Sequence, residues 1–233
     1  MHKKRRYIIL IINSIILISI ICHSCVNNQR NENDTLEKSI FLWNKAKESK
    51  DLYELQKLIE TYPETENFDS AINLYFKRRN EMLKTRNDIP PPWRCVRNCR
   101  NISINPKGNI QFNSRPIEID SVEDCVYKFI SDTSYLDNFP DFKDFIDKNG
   151  NVHPVTKAII EVEFIKDSVL NLQSVIIQTR QAYDRLKNDL SLKWYNQELL
   201  QLTEAKKIQI DSLFERRIIF SDITEIWRNN HFK

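Results

Sequence analysis

The amino terminus constrains this chain more than any other segment. Lys3 to Arg6 form a basic stretch, and a nearly unbroken apolar run follows from Tyr7 to Cys22. As a helix, with about 1.5 Å per residue, this run is shorter than the roughly 30 Å hydrocarbon core of a bilayer, which suits a signal peptide better than a full membrane span. Residues 1–25 therefore predict delivery to a membrane, with the other residues folding in an oxidising aqueous compartment.

The end of this segment has two interpretations. Ser24 directly before Cys25, after the apolar run, resembles the lipobox of bacterial lipoproteins, in which the cysteine thiol is acylated and becomes the new amino terminus. Cys22 stands where that motif usually has leucine. The alternative is an uncleaved, single-pass signal anchor whose basic residues stay in the cytoplasm. Both interpretations predict a membrane-anchored protein that faces the periplasm, and the first predicts lipidation at Cys25.

Composition argues against several classes of function. Gly108 and Gly150 are the only glycines, so the chain has no glycine-rich loop that could hold a nucleotide phosphate. The net charge of +3 includes +4 from residues 3–6, so the other residues sum to −1. Because no basic surplus remains to follow a phosphate backbone, we expect no nucleic-acid partner.

Residues 26–34 form a polar tether, and residues 35–87 have the apolar spacing of helices. Within them, LIETYPETENFDSA resembles the tetratricopeptide-like repeats of bacterial envelope lipoproteins. The resemblance covers about one and a half repeats, whereas repeat solenoids usually need three or more. A small helical hairpin that acts as a spacer is the alternative interpretation of this region.

Three consecutive prolines at 90–92 predict a stiff linker over 88–94 that separates two domains. After it, alternating apolar residues predict strands at 102–104, 110–112 and 160–164. Residues 137–154 read as an acidic, aromatic loop. A long amphipathic helix runs from Val169 to Leu190, a helix follows Thr203, and 218–220 could form a closing strand. The pattern predicts an α+β domain over 95–233.

Two segments carry a family resemblance. ISINPKGNIQFNSRPIEIDSVEDCVYKFI is similar to the opening hairpin, strand and helix of the periplasmic domain of the ExbD/TolR biopolymer-transport family, in its Bacteroidetes-type branch. AYDRLKNDLSLKWYNQELLQLTEAKKIQIDSLFERRI is similar to its long tail helix. The resemblance covers about residues 101–220. It implies a small sheet packed by two helices on one face, a homodimer, and work beside a proton-driven motor of the ExbB/TolQ type.

One feature departs from that family. The membrane helix of its members carries an aspartate that takes part in proton flow, whereas the run from Tyr7 to Cys22 contains no acid. An uncharged helix offers no group that titrates within the membrane. The chain could therefore use the periplasmic domain without a motor of its own.

The candidate site residues lie next to the proline linker. Trp93, Arg94, Arg97 and Arg100 could contact a partner such as peptidoglycan, whose peptides are anionic, or form an ordinary solvated linker. Cys95 and Cys99 could form a disulfide in an oxidising compartment. They lack a second pair of ligands for zinc. We expect no metal, no cofactor and no catalytic site.

The sequence thus predicts a non-enzymatic, membrane-anchored envelope protein that binds an envelope partner. The alternative is a lipoprotein adaptor that scaffolds an outer-membrane complex through its helical region. Either function requires protein partners, and the residues of 35–87 and 95–233 are the candidate binding surfaces.

The lipobox interpretation predicts that a fatty-acid probe labels this protein in cells and that Cys25→Ala abolishes the label, because the thiol is the acylation site. Cys22→Ala is the matched control and should keep the label. If the unmutated protein keeps its full length in the membrane and takes up no label, the uncleaved anchor is the correct interpretation.

Overall fold

The computed structural model describes residues 35–49, 51–85, 98–132, 140–146, 150–165 and 171–223. These residues divide into two compact units, one that ends at Leu58 and one that begins at Ile59. Within the described part of the chain, no helix is long and apolar enough to cross a membrane. The predicted signal segment, tether and proline linker lie outside it.

The first unit contains helix α1 (residues 35–48) and most of helix α2 (Leu52–Thr61). Asp51 caps α2, since its Oδ1 accepts a hydrogen bond from the backbone N–H of Tyr53 at 2.9 Å. Lys45 Nζ lies 2.7 Å from Glu54 Oε1. Helical structure was predicted for this region, but the apolar side chains of Leu36 and Ile40 on α1 are exposed.

After the end of α2, the described residues of the second unit form the helices α3 (Phe68–Thr85), α4 (Val122–Ser131), α5 (Leu172–Tyr195) and α6 (Glu204–Leu213). Its strands are β1 (Cys99–Ile104), β2 (Ile110–Phe112), β3 (Arg115–Ile117), β4 (Phe142–Ile146), β5 (Val152–Thr156), β6 (Ile159–Phe164) and β7 (Ile218–Asp222). Five of them form one sheet in the order β3-β2-β1-β6-β7. The predicted α+β class is confirmed.

The sheet is mixed. Strands β1, β2 and β3 pair antiparallel, whereas β1, β6 and β7 are parallel. Parallel neighbours need a long crossover, which α4 supplies between β1 and β6 and α5 supplies between β6 and β7. Pro116 lies on β3, an edge strand of this sheet, whereas a central strand would need its missing N–H.

Two short turns build the β1–β2–β3 meander. The side-chain Oδ1 of Asn105 accepts hydrogen bonds from the backbone N–H groups of Lys107 and Asn109. Asn113 and Ser114 both have positive φ, at 49° and 66°. Two consecutive left-handed residues make the tight hairpin turn whose twist matches that of the strands. Arg115 is therefore the cross-strand partner of Phe112 on the returning strand.

The two faces of the sheet differ in polarity. Along β6, Ile160, Val162 and Phe164 are fully buried, and the intervening Glu161 and Glu163 lie on the opposite face. On that polar face, Glu163 Oε2 accepts hydrogen bonds from Asn101 Nδ2 at 3.0 Å and from Ser103 Oγ at 2.7 Å. The strand pattern therefore gives one apolar face that needs cover and one face that satisfies its own polar groups.

Helices cover the apolar face. Phe76 of α3 packs against Phe164 with ring centroids 5.2 Å apart. Tyr75 packs against Phe220 at 6.0 Å, and Arg79 Nη1 donates to the carbonyl of Phe220 at 2.8 Å. Helix α4 lies on the same face and packs against α5. Helix α3 is therefore part of the same packed layer as α4.

The turn before α3 is fixed to α5. Arg180 forms an ion pair with Glu64, and its Nη1 donates to the carbonyl of Thr61 at 3.1 Å. Gln173 Nε2 donates to the carbonyl of Pro63 at 2.6 Å. Because the aromatic face of α3 packs on the sheet, the compact units divide between residues 58 and 59. The sequence had placed the division at the proline linker.

Residues 142–156 correct the sequence interpretation of this region. The predicted loop contains a hairpin, in which β4 and β5 pair antiparallel as a separate two-stranded sheet. Its base is fastened to the start of β1, since Asn98 Oδ1 accepts from the backbone N–H of Asp141 at 2.7 Å. Asp144 and Pro154 within the strands made the segment read as a loop.

Truncating Phe76 to alanine should lower the free energy of unfolding by about 3 kcal/mol, since it removes a fully buried ring from the α3–sheet contact. Asn80→Ala, an exposed position on the same helix, should change it by less than about 0.5 kcal/mol. Urea unfolding followed by circular dichroism measures both.

The same contact predicts the behaviour of fragments. A fragment that begins at Ile59 should unfold cooperatively, whereas one that begins at Trp93 should lose cooperativity because it uncovers Phe164 and Phe220. Equal stability of the two fragments would show that α3 contributes nothing to the packed layer.

Candidate functional site

The candidate binding site is a cleft in the second unit, called here the aromatic cleft. It lies between α4, the end of α5, α6 and the β4–β5 hairpin and has a volume of about 870 Å³. That volume is within the range of small-molecule sites. Its walls include six ring-bearing side chains: Tyr127, Phe142, His153, Trp194, Tyr195 and Phe214.

A series of rings forms one wall of the cleft. Phe145 and His153 are cross-strand partners on the hairpin, with ring centroids 6.3 Å apart. His153 lies 4.3 Å from Trp194 at the end of α5, and Trp194 lies 6.0 Å from Phe214, just after α6. Ring pairs at these separations are stabilising. They fasten the hairpin to the helices and thereby hold the cleft in shape.

Polar groups lie at defined positions among the rings. The hydroxyl of Tyr127 donates to Asp189 Oδ2 at 2.5 Å, and the guanidinium of Arg185 lies 4.1 Å above the Tyr127 ring. The hydrogen bond to Asp189 raises the pKa of Tyr127, with burial adding to the rise. Tyr127 is therefore a protonated phenol at neutral pH.

The opposite side of the cleft is built from α5 and α6. Lys206 Nζ lies 4.6 Å above the ring of Tyr195, whose hydroxyl donates to Gln209 Oε1 at 3.3 Å. Lys193 is exposed on the same wall. A cleft with apolar rings and a few fixed polar groups is suited to binding a ligand that has a flat or apolar body.

The predicted site residues lie elsewhere. Arg100 begins the apolar face of β1; its Nη1 donates to the carbonyl of Cys99 at 2.9 Å, and its guanidinium lies 4.8 Å above the ring of Phe129. Burial lowers the pKa of Arg100, although arginine remains charged at any physiological pH. Arg100 borders a second, smaller cavity with Arg115 and Lys128.

Several predicted residues lie outside the described residues: Cys25, Trp93, Arg94, Cys95 and Arg97. Lipidation at Cys25 and the contact surface around Trp93 stay predictions for that reason. Cys99 is the first residue of β1. Its disulfide with Cys95 also stays a prediction, because Cys95 lies outside the described residues.

Cys125 on α4 is partly buried. Burial raises its pKa, and Asp124 adds to the rise. The side chain is therefore a thiol rather than the reactive thiolate at neutral pH. Among the described residues, no three His, Cys, Asp or Glu side chains converge to hold a metal ion.

Sequence reasoning missed the aromatic cleft. None of the predicted site residues in the described part of the chain lines it. The available signal was the density of rings in the segment 142–153 together with Trp194 and Tyr195, but nothing in their spacing indicates that they meet.

Comparisons with protein-family models, with curated proteins and with solved structures found no match for this chain. Its fold and cleft define an α+β domain with a preformed cavity of ligand size.

Tyr127→Phe tests the polar corner of the cleft. Losing a half-exposed hydrogen bond should cost about 0.5 kcal/mol at neutral pH. Because the folded pKa of Tyr127 is raised, this contribution is complete below the unfolded pKa of about 10 and is lost as pH rises through the folded value.

The difference in unfolding free energy between the variant and the unmutated protein should consequently shrink above about pH 10. Urea unfolding from pH 7 to 11 measures it, with Tyr53→Phe, an exposed tyrosine, as the control. A difference that stays constant with pH would mean that the Tyr127 hydroxyl does not titrate with folding.

Proposed function

We propose that this protein is a non-enzymatic, membrane-anchored envelope protein that faces the periplasm and binds an envelope partner through its α+β unit. The observation that carries the proposal is the order of elements along the chain and in the sheet. A β1–β2–β3 meander leads into α4, and the parallel strands β6 and β7 follow with the long α5 between them.

This order agrees with what the ExbD/TolR resemblance implies. The first resembling segment, 102–130, spans the second half of β1, all of β2 and β3, and nearly all of α4. The second, 182–218, spans most of α5, all of α6 and the first residue of β7. Helices on one face of a small sheet are also expected for that family. The β4–β5 hairpin and the cover by α3 lie outside these segments.

The aromatic cleft supports binding as the activity. Its rings are held by each other, and Tyr127, Asp189, Tyr195 and Gln209 are held by hydrogen bonds within the wall. Because these side chains are already fixed, less conformational entropy is lost when a ligand binds. We infer that the cleft receives part of a partner, for which an ExbB/TolQ-type motor subunit is the first candidate.

A second candidate function has an observation of its own. Leu36, Ile40 and Phe41 of α1 are exposed apolar side chains, and Phe41 is 68% exposed. Adjacent exposed apolar side chains often mark contact with another protein. They favour an adaptor that scaffolds an outer-membrane complex through its helical region.

Photo-crosslinking in cells separates the two functions. A benzoylphenylalanine placed at Val152, on the cleft, should capture a motor-type membrane protein if the first function holds. The same probe at Phe41 should capture an outer-membrane complex if the second holds. Gln111, exposed on the sheet's polar side, serves as the control position.

Each outcome has a distinct meaning. Capture from Val152 alone supports the cleft, and capture from Phe41 alone supports the adaptor. A product that forms equally from Gln111 reflects proximity rather than a binding surface, and would count against both. Capture of a second copy of this chain from Val152 would identify the homodimer that the family resemblance implies.

A further inference from the structure

The aromatic cleft contains both signs of charge beside its rings. Among the described residues, one carboxylate and two ammonium groups line it: Asp189 and Lys193 on α5, and Lys206 on α6. The lining residues of α4 and of the β4–β5 hairpin include no Asp, Glu, Lys or Arg. Charges of opposite sign in one cavity select a ligand by the arrangement of its own charges as well as by its shape.

The carboxylate of Asp189 is oriented and still has an open oxygen. Its Oδ2 accepts the hydrogen bond from the Tyr127 hydroxyl at 2.5 Å. Its Oδ1 accepts no hydrogen bond from any described residue, and the side chain is exposed. Arg185, one turn earlier on α5, pairs with Asp124 instead, at 2.8 Å. A fixed carboxylate with an open oxygen is an acceptor for an ammonium group.

The two lysines supply the opposite charge. Lys206 Nζ lies 4.6 Å from the centroid of the Tyr195 ring, and Lys193 forms no hydrogen bond or ion pair with its side chain in the described part of the chain. Asp189 precedes Lys193 by four residues, a spacing at which ion pairs form on helices, but no ion pair joins these two described side chains. Both ammonium groups can therefore receive a carboxylate from a ligand.

The other charges of the two helices are already balanced. Apart from the three cleft residues, every Asp, Glu, Lys and Arg of α5 and α6 forms an ion pair. Lys187, for example, lies with its Nζ 2.6 Å from Asp211 Oδ1 and joins α5 to α6. The unpaired charges of these helices are thus the ones that line the cleft.

The spacing of these charges indicates the class of ligand. Residues four apart on a helix have their Cβ atoms about 5–6 Å apart, so the charged ends of Asp189 and Lys193 can contact neighbouring groups of one small molecule. An α-amino acid carries its ammonium and carboxylate groups on a single carbon atom. The rings of Phe142, Trp194 and Phe214 line the same cavity and offer an aromatic side chain favourable ring contacts.

We propose that the aromatic cleft binds an α-amino acid with an aromatic side chain in its zwitterionic form. Asp189 accepts from the ammonium group of the ligand, Lys193 and Lys206 donate to its carboxylate, and the ring wall contacts its side chain. The inference rests on the binding activity proposed for the cleft and adds the chemistry of a ligand. Because the amino acid occupies the space offered to a protein partner, the two compete.

Calorimetric titration of the full chain in neutral detergent at pH 7 tests the inference with four small molecules. Tryptophan has the ring and both charges. Tryptamine lacks the carboxylate, indole-3-propionate lacks the ammonium group, and leucine lacks the aromatic ring. Tryptophan should bind at least about fivefold more tightly than each of the other three, because each comparison removes one charged contact or the ring contacts.

Three variants assign the charges. Asp189→Asn should weaken tryptophan binding about fivefold and should not weaken binding of indole-3-propionate, which has no ammonium group. The amide oxygen of the new side chain can still accept from Tyr127. Lys193→Gln should weaken tryptophan binding about threefold, since Lys206 remains, and should not weaken binding of tryptamine. Lys77→Gln is the matched control, because Lys77 is an exposed lysine of α3 outside the cleft.

The inference is overturned if tryptophan does not bind, or if tryptamine, indole-3-propionate or leucine binds as tightly as tryptophan. It is also overturned if Lys77→Gln weakens tryptophan binding as much as Lys193→Gln does. The proposed function fails on a different result, since cross-linking from Val152 reports on a protein partner and not on a small ligand.

Discussion

The alternation of β6 governs this structure. The strand pairs with β1 on one side and β7 on the other, so Ile160, Val162 and Phe164 lie in the interior of the sheet. All three are fully buried, at roughly 1.5–3 kcal/mol of stabilisation each. Because a strand exposes alternate residues to opposite faces, the same six residues also create the polar face. The alternation of this strand therefore agrees with that of β1 in deciding which face of the sheet the helices must cover.

This constraint explains why the helix before the proline linker joins the sheet. Helix α4 covers the apolar face near Arg100, and the rings of Phe164 and Phe220 are covered by Tyr75 and Phe76 of α3. A segment that resembles part of a helical repeat thus supplies a cover for a sheet. The aromatic and small side chains on one face of this helix suit packing against a sheet as well as against another helix.

The sequence predicted the elements whose pattern is local. Strands at 102–104 and 160–164, the long α5 and the closing strand at 218 all follow from alternation or helical spacing within a few residues. Pairings across long separations had no such signal: Phe76 meets Phe164, and His153 meets Trp194, only in the fold. Arg100 was singled out by its basic neighbours, but Arg115 and Lys128, which border the same cavity, were not, because a tight turn and a helix bring them to it.

The contacts that join the 61–64 turn to α5 have a mechanical consequence. A pulling force that enters this unit from its amino-terminal side arrives at residue 59. It then reaches the attachments of Arg180 and Gln173 to the carbonyls of Thr61 and Pro63. Tension then passes into α5, a helix of 24 residues, before it reaches the aromatic rings of α3. These contacts therefore carry the force before the contact between α3 and the sheet does, which protects that contact from separation.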